Sequence, residues 1–110
     1  MPEFTKAQRK VLRELAAQVY EADARVVLGQ LENDFVRWRA DEMESSELLE
    51  AIHQFHQVQS RELWSRYQSL KDPEIVARGI AFGLLSPTKL PEALVAELAT
   101  LIDLFARHKG

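Results

Sequence analysis

The sequence predicts an all-α protein, folded as a single compact bundle of four or five helices over residues 1–110. Three observations support this prediction. Apolar residues recur at intervals of three and four along most of the chain, which is the period of an amphipathic helix. Glycine and proline are rare, at four residues each. The composition, with 46% hydrophobic and 28% charged residues, is typical of a globular domain.

The first helix begins after Thr5, because Thr5 and Gln8 have the residue types and the spacing of a capping box. One face of this helix then carries Val11, Leu12, Leu15, Val19, Ala22 and Val26. A second face, about 160° around the helix, carries Val27, Leu28, Leu31, Phe35 and Trp38. We therefore expect a break between Asp23 and Gly29. An unbroken helix to Ala40 would be about 50 Å long and would imply a second chain or a projecting arm.

The longest helix is expected over residues 46–70, after a turn in which Ser45 or Ser46 provides the N-cap. Its predicted core-facing stripe consists of Leu48, Leu49, Ile52, Phe55, His56, Leu63, Tyr67 and Leu70. The stripe keeps its phase through the middle of the segment, so we favour one helix over a second helix capped by Ser60. Trp64 lies about 120° from the centre of the stripe, so it either packs against another helix or belongs to an exposed patch.

A buried central helix is predicted near residues 73–85. Asp72 can cap this helix, and Pro73 suits its first position. Apolar residues surround it on every side, as expected at the centre of a bundle. Gly79 and Gly83 would let a neighbouring backbone come close. A last helix follows, with an apolar stripe of Leu94, Val95, Leu98, Leu101, Ile102 and Phe105.

The net charge of −3 arises between Asp41 and Glu50, where five acidic residues meet no basic residue. This overall acidic balance argues against nucleic acid as the main partner, because binding phosphates requires a basic face. A helix-turn-helix over residues 73–98 is also rejected, because Pro87 and Pro91 would obstruct its recognition helix. The sequence contains no cysteine and no apolar run long enough for a membrane span. We expect a cytoplasmic protein without a membrane partner.

The preferred function is a non-catalytic protein–protein interaction or regulatory module that self-associates as a homodimer. No serine lies in a G-x-S-x-G elbow, and no glycine-rich phosphate loop is present. Tryptophan, tyrosine and arginine are enriched at the hot spots of binding surfaces. The candidate partner-binding residues are Phe35, Trp38, Trp64, Tyr67 and Arg61. In the alternative interpretation both tryptophans complete the core.

A metal-binding protein or metal-dependent enzyme is the second functional alternative. Glu50 and His53 have the i, i+3 spacing by which one helix offers a carboxylate and an imidazole to a metal in di-iron bundles. Glu47 precedes Glu50 by three residues, and His56 follows His53 by three. These four groups fan around the helix, so the simpler interpretation is a surface Glu50–His53 pair beside a boundary histidine, His56. The preferred function requires no cofactor.

Overall fold

The computed structural model describes residues 4–108, and helices are the only regular secondary structure within that range. The elements are α1 (Lys6–Arg39), α2 (Ser45–Gln54), a π-helical segment (Phe55–Ser60), α3 (Arg61–Ser69), α4 (Asp72–Ala81), a 3-10 turn (Pro87–Lys89) and α5 (Glu92–Arg107). α2, the π-helical segment and α3 follow one another without interruption, so the described residues form four long helical stretches. The all-α prediction is confirmed.

The chain divides into two compact units. Unit 1 consists of residues 1–22 and 70–110, and unit 2 consists of residues 23–69. α1 contributes its first part to unit 1 and its second part to unit 2. Among the described residues, eleven of the twelve buried hydrophobic side chains belong to unit 1, and unit 2 contributes only Leu48. The single domain predicted over the whole chain stays a prediction.

α1 is unbroken over its 34 residues, so the predicted break near Gly29 is wrong. A glycine inside a helix costs only about 1 kcal/mol relative to alanine, which the rest of a long helix can offset. The two apolar faces of α1 have different neighbours. Leu12 and Val19 are buried in unit 1, whereas Leu31 and Phe35 are half-buried in unit 2. The shift in the apolar pattern therefore marks a change of neighbours along one helix.

Unit 1 contains a well-filled core, in which α4 packs against α5. Its least exposed large side chains are Leu12, Val19, Val76, Leu94 and Leu98. The burial predicted for the central helix is confirmed at Ile75, Val76, Ala77 and Gly79. This helix ends earlier than predicted, at Ala81. Gly83 lies in the turn beyond it with a φ of 78°, which glycine adopts without strain, and no neighbouring backbone approaches it.

Hydrogen bonds at the helix starts confirm one predicted cap and correct two others. Gln8 N donates to Thr5 Oγ1 at 3.0 Å, and Thr5 N donates to Gln8 Oε1 at 2.9 Å, as in a capping box. Ser45 is the first residue of α2 and not its cap, and its hydroxyl accepts a hydrogen bond from Trp38. Asp72 is likewise the first residue of α4 and not its cap.

The segment over residues 46–70 is not the longest helix, contrary to the prediction, because the 34-residue α1 is longer. Its predicted core stripe holds only in part, because the middle of the segment is π-helical. A π turn closes with an i→i+5 hydrogen bond in place of i→i+4, so it contains one extra residue. The extra residue turns Leu63 and Tyr67 toward the side of Leu48, and both are half-buried. Leu49 and His56, which the stripe also included, are exposed.

A candidate interaction surface

Unit 2 is an antiparallel helical hairpin. It consists of the second part of α1 and the continuous α2–α3 stretch, joined by a short turn. Beside the turn, Trp38 Nε1 donates a hydrogen bond to Ser45 Oγ at 3.0 Å. At the opposite end, the Tyr67 hydroxyl donates to Asp23 Oδ2 at 2.8 Å. These two contacts, at opposite ends, fix which residues of the two helices lie side by side.

Asp23 holds the two helices together at the end away from the turn. Its side chain is buried, with the residue only 8% exposed. Arg66 Nη1 donates to the same Oδ2 atom as Tyr67, at 2.9 Å. A buried carboxylate is tolerated when a charge and hydrogen-bond donors replace its water. The cluster therefore turns Arg66 and Tyr67 toward α1, while Trp64 remains 66% exposed.

Most of the exposed apolar surface lies on this hairpin. Ten large hydrophobic side chains are exposed in the described part of the chain, and seven of them belong to unit 2. The seven are Val26, Leu28, Val36, Trp38, Leu49, Val58 and Trp64. Because Leu48 is the one buried hydrophobic residue of unit 2, the hairpin lacks a core like that of unit 1.

One side of α1 in unit 2 forms an apolar groove. Its apolar lining consists of Leu28, Leu31, Phe35 and Trp38. These residues recur at intervals of three and four, so they lie along one face of the helix. Glu32 and Arg39 also line the groove and supply its polar groups. Leu28 and Trp38 are exposed, so this face of α1 is only partly covered within the chain.

The returning helix extends this apolar side. Ser45 accepts the indole hydrogen bond from α1, and Leu49 lies four residues later on the same side of α2. Leu49 directly follows the buried Leu48, and Trp64 directly follows the half-buried Leu63. Both are therefore displaced from the inner side by about 100° in the same direction. We call the combined surface the open face; it comprises Leu28, Leu31, Phe35, Trp38, Leu49 and Trp64.

The five predicted partner-binding residues occupy three different environments. Phe35 and Trp38 lie in the α1 groove, whereas Arg61 and Trp64 line a second open depression along the π-helical segment and α3. Neither tryptophan is buried, so the alternative in which both complete the core is wrong. Tyr67 is half-buried and bonded inside the hairpin. A role for these residues in binding stays a prediction.

Three residues of the open face were not predicted as surface residues. Leu28 and Leu31 stand out in the sequence only as part of a helical period, which does not distinguish a core face from an exposed one. Leu49 was assigned to the core stripe. A regular helix through the π-helical segment predicts that assignment, and no residue type in the segment signals the extra residue.

The four predicted metal ligands do not converge. Glu47, Glu50, His53 and His56 are all exposed. Glu50 Oε1 accepts a hydrogen bond from Gln54 Nε2 at 3.1 Å, and Glu47 Oε1 accepts one from Glu44 N at 3.5 Å. Within residues 4–108, no group of three histidine, cysteine or acidic side chains is arranged to hold a metal ion. The metal alternative has no support in this geometry and stays a prediction of the sequence.

Comparison with known proteins gives no family for this chain. No family model, no curated protein and no solved structure matches it. In the part of the chain that the structure describes, no helix combines the length and the apolar character needed to cross a membrane. The cytoplasmic location and the absence of a nucleic-acid partner stay predictions of the sequence. The function must therefore be argued from the geometry of the hairpin.

Proposed function

We propose that this chain is a non-catalytic protein–protein interaction module that self-associates through the open face of unit 2. The observation that carries the proposal is the imbalance of burial, since unit 2 buries Leu48 alone among its hydrophobic side chains. Amphipathic helices gain most of their stability when their apolar side packs against another element. Two hairpins from two copies can supply that packing as a four-helix bundle.

The apolar side chains of the open face are large enough to support association. Fully burying a large apolar side chain contributes about 1.5–3 kcal/mol. Loss of translational and rotational freedom costs about 4–15 kcal/mol, so several such side chains must be buried together. In a two-fold symmetric dimer each residue of the open face contributes twice, once from each copy. An exposed apolar surface of this kind is typical of an interaction site.

Sedimentation equilibrium of the purified chain over a series of concentrations tests the proposal. We expect a reversible dimer. Trp64→Ala should weaken dimerisation by about 2 kcal/mol, or about 30-fold in Kd, as for a tryptophan hot spot. The far-UV circular dichroism of the variant should be unchanged, because the side chain is exposed in the single chain.

A matched pair of leucine variants controls this experiment. Leu49, on the open face, is 68% exposed, and Leu104, on α5 in unit 1, is also exposed. Leu49→Ala should weaken the dimer, whereas Leu104→Ala, the same chemical change, should leave it intact. A monomer at every concentration would contradict the proposal, as would equal weakening by the two substitutions.

A further inference from the structure

The two ends of the hairpin differ in charge, and this difference selects how a second copy can lie on the open face. The turn end carries five carboxylates, on Asp41, Glu42, Glu44, Glu47 and Glu50. We call residues 41–50 the acidic segment; they include no basic residue. Within residues 4–108, none of these carboxylates takes part in an ion pair. Two basic residues, Arg37 and Arg39, precede the segment at the end of α1, and they leave most of its negative charge uncompensated.

The opposite end of the hairpin presents Arg61 beside Trp64. Both residues are exposed and line one depression on α3. Arg66, nearby in sequence, is already bonded to Asp23, but Arg61 has no ion-pair partner among the described residues. Glu62 also lines this depression, so a negatively charged group that binds at this end must contact Arg61 itself.

The two exposed tryptophans differ in whether the indole N–H group already has a hydrogen-bond acceptor. The N–H of Trp38 is already bonded to Ser45 Oγ, so this ring can be covered by apolar surface alone. The N–H of Trp64 has no hydrogen-bond partner in the described part of the chain. A buried indole N–H requires an acceptor, because an unsatisfied donor costs about 1–3 kcal/mol. A partner that covers Trp64 must therefore bring an acceptor oxygen.

We propose that the second copy lies antiparallel across the open face, so that the acidic segment of each copy meets Arg61 and Trp64 of the other. This inference rests on the proposed self-association. The carboxylates of the acidic segment supply both missing groups, a negative charge for Arg61 and an acceptor for the Trp64 N–H. The arrangement also brings the turn end of each copy, with Trp38, onto the Trp64 end of the other.

A parallel arrangement fails on charge. It would place the acidic segments of the two copies side by side, with five carboxylates from each copy. The basic residues that precede each segment, Arg37 and Arg39, are too few to balance these charges, and Arg37 is already paired with Asp34. Like charges in contact oppose association, and they do so most strongly where water is excluded. The antiparallel arrangement separates the two acidic segments by the length of the hairpin.

Cross-linking of single-cysteine variants distinguishes the two arrangements. The chain contains no cysteine, so an introduced thiol reports one position. Ser46→Cys marks the acidic segment, and Ser65→Cys marks the depression beside Trp64. Both serines are exposed, and both substitutions are nearly isosteric and uncharged. One variant carries an affinity tag, so that the three possible dimers separate on a gel after treatment with a short bismaleimide.

An equimolar mixture of the two variants should give the mixed 46–65 product as the main cross-link. Dominant homodimeric cross-links would overturn the antiparallel arrangement. So would the absence of every cross-link in protein that sedimentation identifies as a dimer. A wild-type chain that remains monomeric would instead refute the proposed function itself, so the two failures are distinguishable.

Charge reversal provides the second arm of the test. Arg61→Glu should raise the Kd of the dimer by about tenfold, because it removes the attraction to the acidic segment. Adding Glu42→Lys and Glu50→Lys should recover most of the lost affinity. The matched control is Lys10→Glu, which makes the same change in net charge at an exposed position of unit 1. Equal effects of Arg61→Glu and Lys10→Glu would overturn the predicted contact.

Discussion

A Cβ atom on Gly79 would lie 2.5 Å from Cγ2 and 2.8 Å from Cγ1 of Val19. α4 therefore crosses α1 inside unit 1 at a separation that only glycine permits. Val19 is fully buried, so its methyl groups have no free space into which they could move. The sequence predicts that a neighbouring backbone comes close at Gly79, whereas the structure places the Val19 side chain there.

Gly79→Ala should destabilise the protein, although alanine is the better helix former. The gain in helix propensity is about 1 kcal/mol. Overpacking of a filled core costs about 1–3 kcal/mol, and the 2.5 Å approach to Val19 places Gly79 in the upper half of that range. We therefore expect a net loss of about 1–2 kcal/mol in urea unfolding at fixed protein concentration. Because Val19→Ala removes the clashing methyl groups, the double variant should lose less stability than the sum of the two single variants.

The matched control is Gly29→Ala, in the same α1 helix that contains Val19. A Cβ atom at Gly29 would meet nothing within 4 Å. Alanine there should stabilise the protein by about 1 kcal/mol, through helix propensity alone. Alanine is favourable within a regular helix but gives no such advantage where a helix breaks. A loss of stability for Gly29→Ala would therefore contradict the unbroken α1.

The features that were predicted correctly are those that depend on neighbours in sequence. The capping box at Thr5 and the burial of α4 each follow from a few adjacent residues. The break near Gly29 was wrong because a shift in apolar phase is compatible with two structures. It can reflect a new helix, or one helix that meets new neighbours, and the second alternative depends on contacts between residues far apart in sequence.

The candidate surface, like the fold, was predicted only in part from the sequence. The angle of Trp64 placed it outside the apolar stripe and left two alternatives, packing against another helix or exposure. The structure shows that it is exposed. Leu49 was placed in the core because a constant helical period was carried through residues 55–60. A π turn depends on the hydrogen-bond pattern that the whole hairpin stabilises. Apolar spacing does not report that pattern.

Asp23 should be a stability determinant of the hairpin. Tyr67→Phe removes the hydroxyl that donates to its carboxylate and should cost about 0.5–1.5 kcal/mol. Arg66→Met keeps an apolar stem but removes a charged donor, and should cost about 1.5–3 kcal/mol. Arg66 is partly exposed, so water screens the pair and the lower half of that range is expected. Urea unfolding at fixed protein concentration measures both losses.

The control for this prediction is an ion pair in full contact with water. Arg107 Nε lies 3.1 Å from Asp103 Oδ2 on α5, and both side chains are exposed. Arg107→Met should change stability by less than about 0.5 kcal/mol. A loss for Arg66→Met that does not exceed this value would show that Asp23 is solvated and does not hold the two helices together.

α5 offers a direct comparison of buried and exposed leucines on one helix. Leu98 is fully buried, whereas Leu104, six residues later, is exposed. Leu98→Ala should cost about 2–5 kcal/mol, because it removes apolar contacts and leaves a cavity. Leu104→Ala should change stability by about 0.5 kcal/mol or less. Similar losses for the two variants, in thermal or urea unfolding, would contradict the orientation of α5 in unit 1.

The π-helical segment should tolerate the loss of one residue. Gln57 is exposed, and its deletion converts the wide turn into a regular α turn. Leu63 and Tyr67 would then still face the inner side of the hairpin, so the hydrogen bond to Asp23 can form. We expect stability within about 1 kcal/mol of the parent chain and an unchanged near-UV circular dichroism signal from the tryptophans.

Gln30 is an exposed residue of the same type within α1, but its deletion cannot be absorbed by a wide turn. Because α1 is regular there, the deletion rotates Phe35 and Trp38 by about 100° relative to Asp23. Trp38 can then no longer reach Ser45 while Asp23 still meets Tyr67, so the hairpin must lose one of its two end contacts. Equal tolerance of the two deletions would show that packing on the inner side of the hairpin depends little on helical register. In that case the wide turn would not be the feature that aligns α3 with α2.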